Sequence, residues 1–122
     1  AADFIEPEAI VVFDALAAAE PERLCTTVQL TDAGLAPGSG LGNHREAFCK
    51  ESLGRPVLAV GAPTLMRAEC LAGRELPGLS GLIVTPRDID LRVREIARAV
   101  GYGLSLALHP GLTVSDVAGF LA

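Results

Sequence analysis

Ala9-Ile10-Val11-Val12-Phe13 is an unbroken apolar run that stops at a charge, Asp14. Runs of this kind mark strands covered on both faces, so Asp14 is expected where such a strand leaves the core. Ala15 to Ala19 favours helix by propensity, and Pro21 suits the first turn of a short helix through Leu24. The β-branched residues Thr26, Thr27 and Val28 predict a second strand over Thr26 to Leu30. From Thr31 to Asn43, four glycines and a proline in thirteen residues predict a loop. Asn43 with Glu46 three positions on is a capping-box pattern, which predicts a helix over His44 to Leu53 ended by Gly54. Pro56 to Gly61 reads as a third buried strand, Met66 to Leu71 as a short helix, and Leu82 to Val84 as a short strand. Thr85-Pro86-Arg87-Asp88 is a helix start. Beyond it Ile89, Val93, Ile96, Ala97, Val100, Leu104 and Leu108 recur at three- and four-residue spacing as one apolar stripe. His109-Pro110-Gly111 stops that helix, and Thr113 to Leu121 predicts a terminal one.

Strands alternating with helices imply an α/β class. The architecture expected is a single domain over residues 1–122, a three-layer α/β/α arrangement with a mostly parallel sheet. A first strand covered on both sides, yet near the start of these residues, needs neighbours, so the sheet reads as incomplete. An exposed edge of that kind invites self-association.

Charge narrows the function classes. Ten Lys and Arg against 15 Asp and Glu give a net charge of −5, and the basic residues are scattered, which argues against a nucleic-acid footprint. The longest apolar runs, Ala9 to Phe13 and Val57 to Val60, fall far short of the roughly 18–20 residues that span a bilayer. No basic segment precedes a hydrophobic one, so no secretory leader is expected. Cys25, Cys49 and Cys70 are odd in number and widely spaced, which suits free thiols better than a disulfide framework or a zinc site. No His, Asp or Glu cluster has metal-ligand spacing, and neither a metal nor a cofactor is expected.

The glycine-rich loop does not carry a nucleotide fingerprint. Gly38, Gly40 and Gly42 give G-x-G-x-G, Asn43 stands where the third glycine of a dinucleotide motif belongs, and no G-K-[ST] follows. Ser39 lies in Pro-Gly-Ser-Gly rather than in a nucleophile elbow. Asp14 has two readings. One is a carboxylate capping the segment that follows. The other is an acid in a cleft, which needs a second carboxylate, because two such groups held close share one proton and together activate water. Asp32, after the second strand, is the local candidate; its alternative is an Asx-turn in a loop.

Phe13-Asp14-Ala15-Leu16-Ala17-Ala18, Glu22-Arg23, Thr26-Thr27-Val28-Gln29-Leu30 and Asp32-x-Gly34 run in one order with Pro37-Gly38-Ser39-Gly40-x-Gly42-Asn43 and Arg45. Leu53-Gly54-x-Pro56-Val57-x-Ala59-x-Gly61-x-Pro63-Thr64, Ile83-Val84-Thr85-Pro86-x-x-Ile89-Asp90 and Gly103-Leu104 through Ala107-Leu108-His109 continue it. This series resembles the germination protease family, the spore endopeptidases. The resemblance implies an atypical aspartic protease that is made as a zymogen and is homo-oligomeric. Its fold would be like that of hydrogenase maturation proteases. Its substrates would be small acid-soluble spore proteins, cleaved in the spore core, a cytoplasmic compartment. It places one essential aspartate on Asp14. Asp32, Thr26, Thr27 and the loop Gly38, Ser39, Gly40, Gly42, Asn43 are then expected to shape the cleft.

The family's other aspartate belongs to a Thr-Pro-Asp-Ala-Leu-Gly motif upstream, which does not occur in these residues. Relative to the family pattern the segment between Thr64 and Leu82 is short. Ala19 replaces an arginine, Ala33 a threonine, Ala36 a histidine and His44 a lysine. The expectation is a chain corresponding to the C-terminal half of the family core, with little or no proteolysis alone. The alternative is a non-catalytic interaction module of the same fold.

Overall fold

The computed structural model describes residues 5–38 and 45–121. Contacts divide the chain into two compact units, Ala1–Pro86 and Arg87–Ala122.

The first unit is built on a four-stranded sheet. β1 (Ile10–Ala18) lies at one end, β3 (Val57–Arg67) in the centre, and β2 (Gln29–Thr31) and β4 (Ile83–Val84) pair with β3. A 3-10 turn covers Pro21–Arg23, α1 is a single turn over Lys50–Leu53, and α2 covers Ala68–Ala72. β3 supplies most of the core: Val57, Ala59, Val60 and Met66 are buried, joined by Ala18 and Ala68. Consecutive residues 59–61 of β3 are buried, so both faces are covered there and its apolar run is nearly continuous.

The sheet corrects the mostly parallel expectation. Only β1 and β3 run parallel, from Ile10 opposite Val57 to Ala18 opposite Met66. β2 and β4 are antiparallel to β3. The fifteen residues 68–82, which include α2, return the chain antiparallel to β3.

β1 also runs further than its apolar pattern suggested. Ala15 to Ala18, helix formers by propensity, are strand, because the ladder to β3 continues through Ala62 and Pro63. Pairing overrides intrinsic preference here. Gly61 makes the fit possible: a Cβ there would collide with the Leu16 side chain. Beyond Leu16 the register shifts, leaving Thr64 of β3 without an opposite residue. This bulge is fixed by Thr85, whose hydroxyl donates to the Thr64 carbonyl at 2.7 Å. Thr85 therefore does not cap the following helix.

β2 is shorter than predicted. The hydroxyls of Thr26 and Thr27 donate to the carbonyls of Glu22 and Arg23, which prolongs the turn. Cys25, at φ +58°, reverses the chain, and its N–H donates to the Pro63 carbonyl at 2.7 Å.

The second unit comprises α3 (Ile89–Leu108) and α4 (Val114–Phe120). Asp88 precedes α3 and accepts from Arg92 Nε at 2.8 Å. Thr113 caps α4. Its hydroxyl accepts from the Asp116 N–H at 3.2 Å, and Asp116 Oδ2 accepts from the Thr113 N–H at 2.8 Å. Val117 is the buried anchor of this pair of helices.

Candidate functional site

The site is built where β1 meets the segments on either side of the glycine-rich loop. Gly34, at φ +95°, lets the chain pass close to Cys49; a Cβ there would lie 2.6 Å from the Cys49 Cβ and 2.7 Å from the Phe48 carbonyl oxygen. That approach permits a two-way backbone bridge. The Leu35 N–H donates to the Phe48 carbonyl at 2.9 Å, and the Phe48 N–H to the Leu35 carbonyl at 2.7 Å. Extended backbone at Phe48 and Cys49 displaces the predicted helix start. α1 begins only after Cys49, whose N–H donates to the Ser52 hydroxyl at 3.2 Å, while that hydroxyl donates to the Ala47 carbonyl at 2.6 Å. Gly54 ends α1 in the left-handed conformation, as expected.

Between this bridge and β1 lies a cavity of about 460 Å³. Val12, Phe13, Leu35, Phe48 and Leu53 give it apolar walls, and Asp14, Arg45, Glu46 and Ser52 give it polar groups. Asp14 is half-buried and sits across from Gly61 in mid-strand, which corrects its expected place at a strand end. One carboxylate oxygen accepts the N–H of Ala15 at 2.9 Å. Among the described residues no cation lies within ion-pair distance of Asp14. Arg23 is engaged by Glu20 at 3.1 Å, and the other ion pairs join Arg67 to Glu69 and Arg92 to Asp88.

The remaining candidates are placed as follows. Asp32 is exposed just past β2 and is not among the residues lining the cavity. Next to it the Thr31 hydroxyl accepts the Ala33 N–H at 3.1 Å. Thr26 and Thr27 have their hydroxyls turned to the backbone of the 3-10 turn and do not line the cavity either. Gly38, at φ +75°, follows the lining residue Pro37. Ser39, Gly40, Gly42 and Asn43 lie outside the described residues. Arg45, Phe48 and Ser52 were missed as site residues because the capping pattern at Asn43 had assigned them to a helix. The signal available was the apolar set Leu35, Phe48 and Leu53 flanking the loop.

No disulfide joins Cys25, Cys49 or Cys70 among the described residues, and each is half-buried. Among the described residues no group of three or more His, Cys, Asp or Glu could hold a metal ion, and no helix is long and apolar enough to cross a membrane.

Comparison with known proteins decides the lineage. The family model for germination protease matches residues 2–77. The chain belongs to the germination protease family. A germination protease of Caldanaerobacter subterraneus is 34% identical over an alignment covering 94% of this chain and 47% of the relative. One from Clostridium perfringens is 30% identical, covering 96% of this chain and 48% of the relative. A Bacillus pumilus germination protease reaches 48% identity over 67 residues, 55% of this chain. The chain thus spans about half the length of these first two relatives. The Caldanaerobacter alignment runs over 153 positions against the 122 residues here, so that germination protease carries insertions relative to this chain.

Proposed function

We propose that this chain supplies the Asp14 half of the catalytic site of a spore endopeptidase. In this reading Asp14 is one member of an aspartate pair that hydrolyses peptide bonds in small acid-soluble spore proteins, in the spore core. The observation that carries it is the Asp14 carboxylate beside an apolar-walled cavity, with no cation within ion-pair distance among the described residues. Such a carboxylate is open to a water molecule and to a substrate carbonyl. With a protonated partner acid it would take a proton from the attacking water while the partner donates to the carbonyl oxygen. The walls formed by Phe13, Leu35 and Phe48 suit an apolar side chain next to the scissile bond. The loop from Gly38 to Asn43, together with Asp32, Thr26 and Thr27, shapes the approach to the cleft.

The test is cleavage of a small acid-soluble spore protein, followed by mass spectrometry, with Asp14→Asn as the variant. Loss of about 10²–10⁴ in rate is expected for removal of a general acid–base. Cleavage that Asp14→Asn leaves unchanged overturns the reading. The second reading, a non-catalytic interaction module, is favoured by Asp14 being the one aspartate among the described residues that line the cavity. It expects binding of the spore protein without cleavage, unaffected by Asp14→Asn.

A further inference from the structure

The irregular step in β3 is held from outside the strand. In a regular strand successive carbonyls point to opposite edges. Here two in succession, those of Pro63 and Thr64, are both bonded by groups that do not belong to β1. The Cys25 N–H donates to the Pro63 carbonyl and the Thr85 hydroxyl to the Thr64 carbonyl, each at 2.7 Å. The approach of Thr85 follows from the sheet. β4 pairs Ile83 with Arg67 and Val84 with Met66, so the next residue arrives beside Leu65, within reach of Thr64. Pro86 after it restricts Thr85 to extended backbone, which limits the directions its hydroxyl can take.

On the β1 side the same step controls what lies next to Asp14. Leu16 is opposite Pro63, the last regular pair before the shift. Its side chain leans back over Gly61, the residue opposite Asp14. Leu16 and Asp14 are two apart on one strand and so share a face of the sheet. We propose that Thr85 is a positioning residue for Asp14. By holding the Thr64 carbonyl it keeps Leu16 seated over Gly61, and that seat fixes the acid against its cavity. The inference rests on the reading of Asp14 as a catalytic acid. It adds a residue from outside the cavity, since Thr85 is not among the lining residues.

Thr85 is exposed, which separates holding from overall stability. Without its hydroxyl, water can satisfy the Thr64 carbonyl, so what is lost is the tether rather than a buried hydrogen bond. A released carbonyl lets the β1–β3 ladder loosen from the irregular step backward, through Leu16 to Asp14. The far end, where the Ile10 N–H donates to the Pro56 carbonyl, stays as it was. In a catalytic site a displacement on the order of 1 Å costs about a hundredfold in rate.

The experiment is amide hydrogen exchange, read by nuclear magnetic resonance, on the chain and on Thr85→Val, Thr85→Ala and Thr85→Ser. Cleavage of a small acid-soluble spore protein is measured beside it. Thr85→Val and Thr85→Ala are expected to raise exchange at Asp14 and Leu16 about tenfold, the equivalent of one lost hydrogen bond. Exchange at Ile10 and Val12 should not change. Thr85→Ala adds no atom to the site, so it gives the answer where valine is not accommodated. Thr85→Ser keeps the hydroxyl and should restore the wild-type pattern. In cleavage, kcat is expected to fall about 10²-fold in the valine variant with KM unchanged, and to recover in the serine variant. Unchanged exchange at Asp14, a rise spread evenly over β1, or a serine variant that behaves like the valine one each overturns the proposal, whether or not the chain cleaves. The two readings fail separately. Cleavage that ignores Asp14→Asn defeats the catalytic role and leaves the exchange result standing. Cleavage lost in Asp14→Asn but intact in Thr85→Val defeats the positioning role alone.

Discussion

The side chain of Leu16 fills the space that a Cβ on Gly61 would need. Leu16 lies two residues past Asp14, which pairs with the same glycine, so β1 packs over Gly61 with no room for a second side chain. Gly61→Ala is therefore expected to destabilise the first unit by about 1–3 kcal/mol, the usual effect of overpacking a buried contact. Urea unfolding checks this. Adding Leu16→Ala should recover part of the loss, because the collision is with that side chain.

Gly34→Ala is expected to act on the cavity as well as on stability. The substitution strains a positive φ and drives a methyl group into Cys49 and the Phe48 carbonyl. The Leu35–Phe48 bridge should open, with a loss of about 1–3 kcal/mol. Amide hydrogen exchange at Leu35 and Phe48 should rise while exchange along the β1–β3 ladder stays slow.

Met66 is fully buried, at the end of β3 where β1 and β4 both pair. Met66→Ala should cost about 2–5 kcal/mol through lost burial and the cavity left behind, measured as a lower denaturation midpoint. An equivalent truncation at Leu58, which is 39% exposed, should cost much less.

In the second unit the cap of α4 is expected to respond to acid. The N–H of Thr113, and then its hydroxyl, hold the Asp116 carboxyl below its ordinary value of 3.8. A depressed carboxyl stabilises the folded form above the unfolded value, and that stabilisation is lost as pH falls through the folded one. Helix content should therefore drop below about pH 3.8 in the wild type, with a smaller drop in Asp116→Asn. Thr113→Ala at neutral pH should weaken the helix by about 1 kcal/mol. Circular dichroism at 222 nm reads both.

Much of this was readable in the order of residues. The strand ahead of Asp14, the strand after Pro56, the stop at Gly54, the long amphipathic helix and the terminal helix depend on local patterns: apolar runs, a left-handed glycine and helical spacing. What went astray depended on partners distant in sequence. Ala15 to Ala18 are strand because β3 is beside them. Thr85 bonds Thr64 instead of capping a helix, and Phe48 is extended because Leu35 is opposite. The apolar walls of the cavity were missed for the same reason, since Leu35 and Phe48 meet only through the close approach at Gly34. Asp14 itself stood out because a charge at the end of an apolar run is a local anomaly.

The extra residue in β3 at Thr64 has a consequence for where chemistry can happen. A regular ladder between two apolar strands could slide by a pair of residues and keep its inward faces inward. A defect pinned between Leu16 and Ala17, and clamped by the Thr85 hydroxyl, has one matching position. Any slip would leave the misfit facing a regular stretch of β1 and would carry Asp14 away from Leu35 and Phe48. The irregularity is a key cut into the sheet, and it holds one acid group at a constant address.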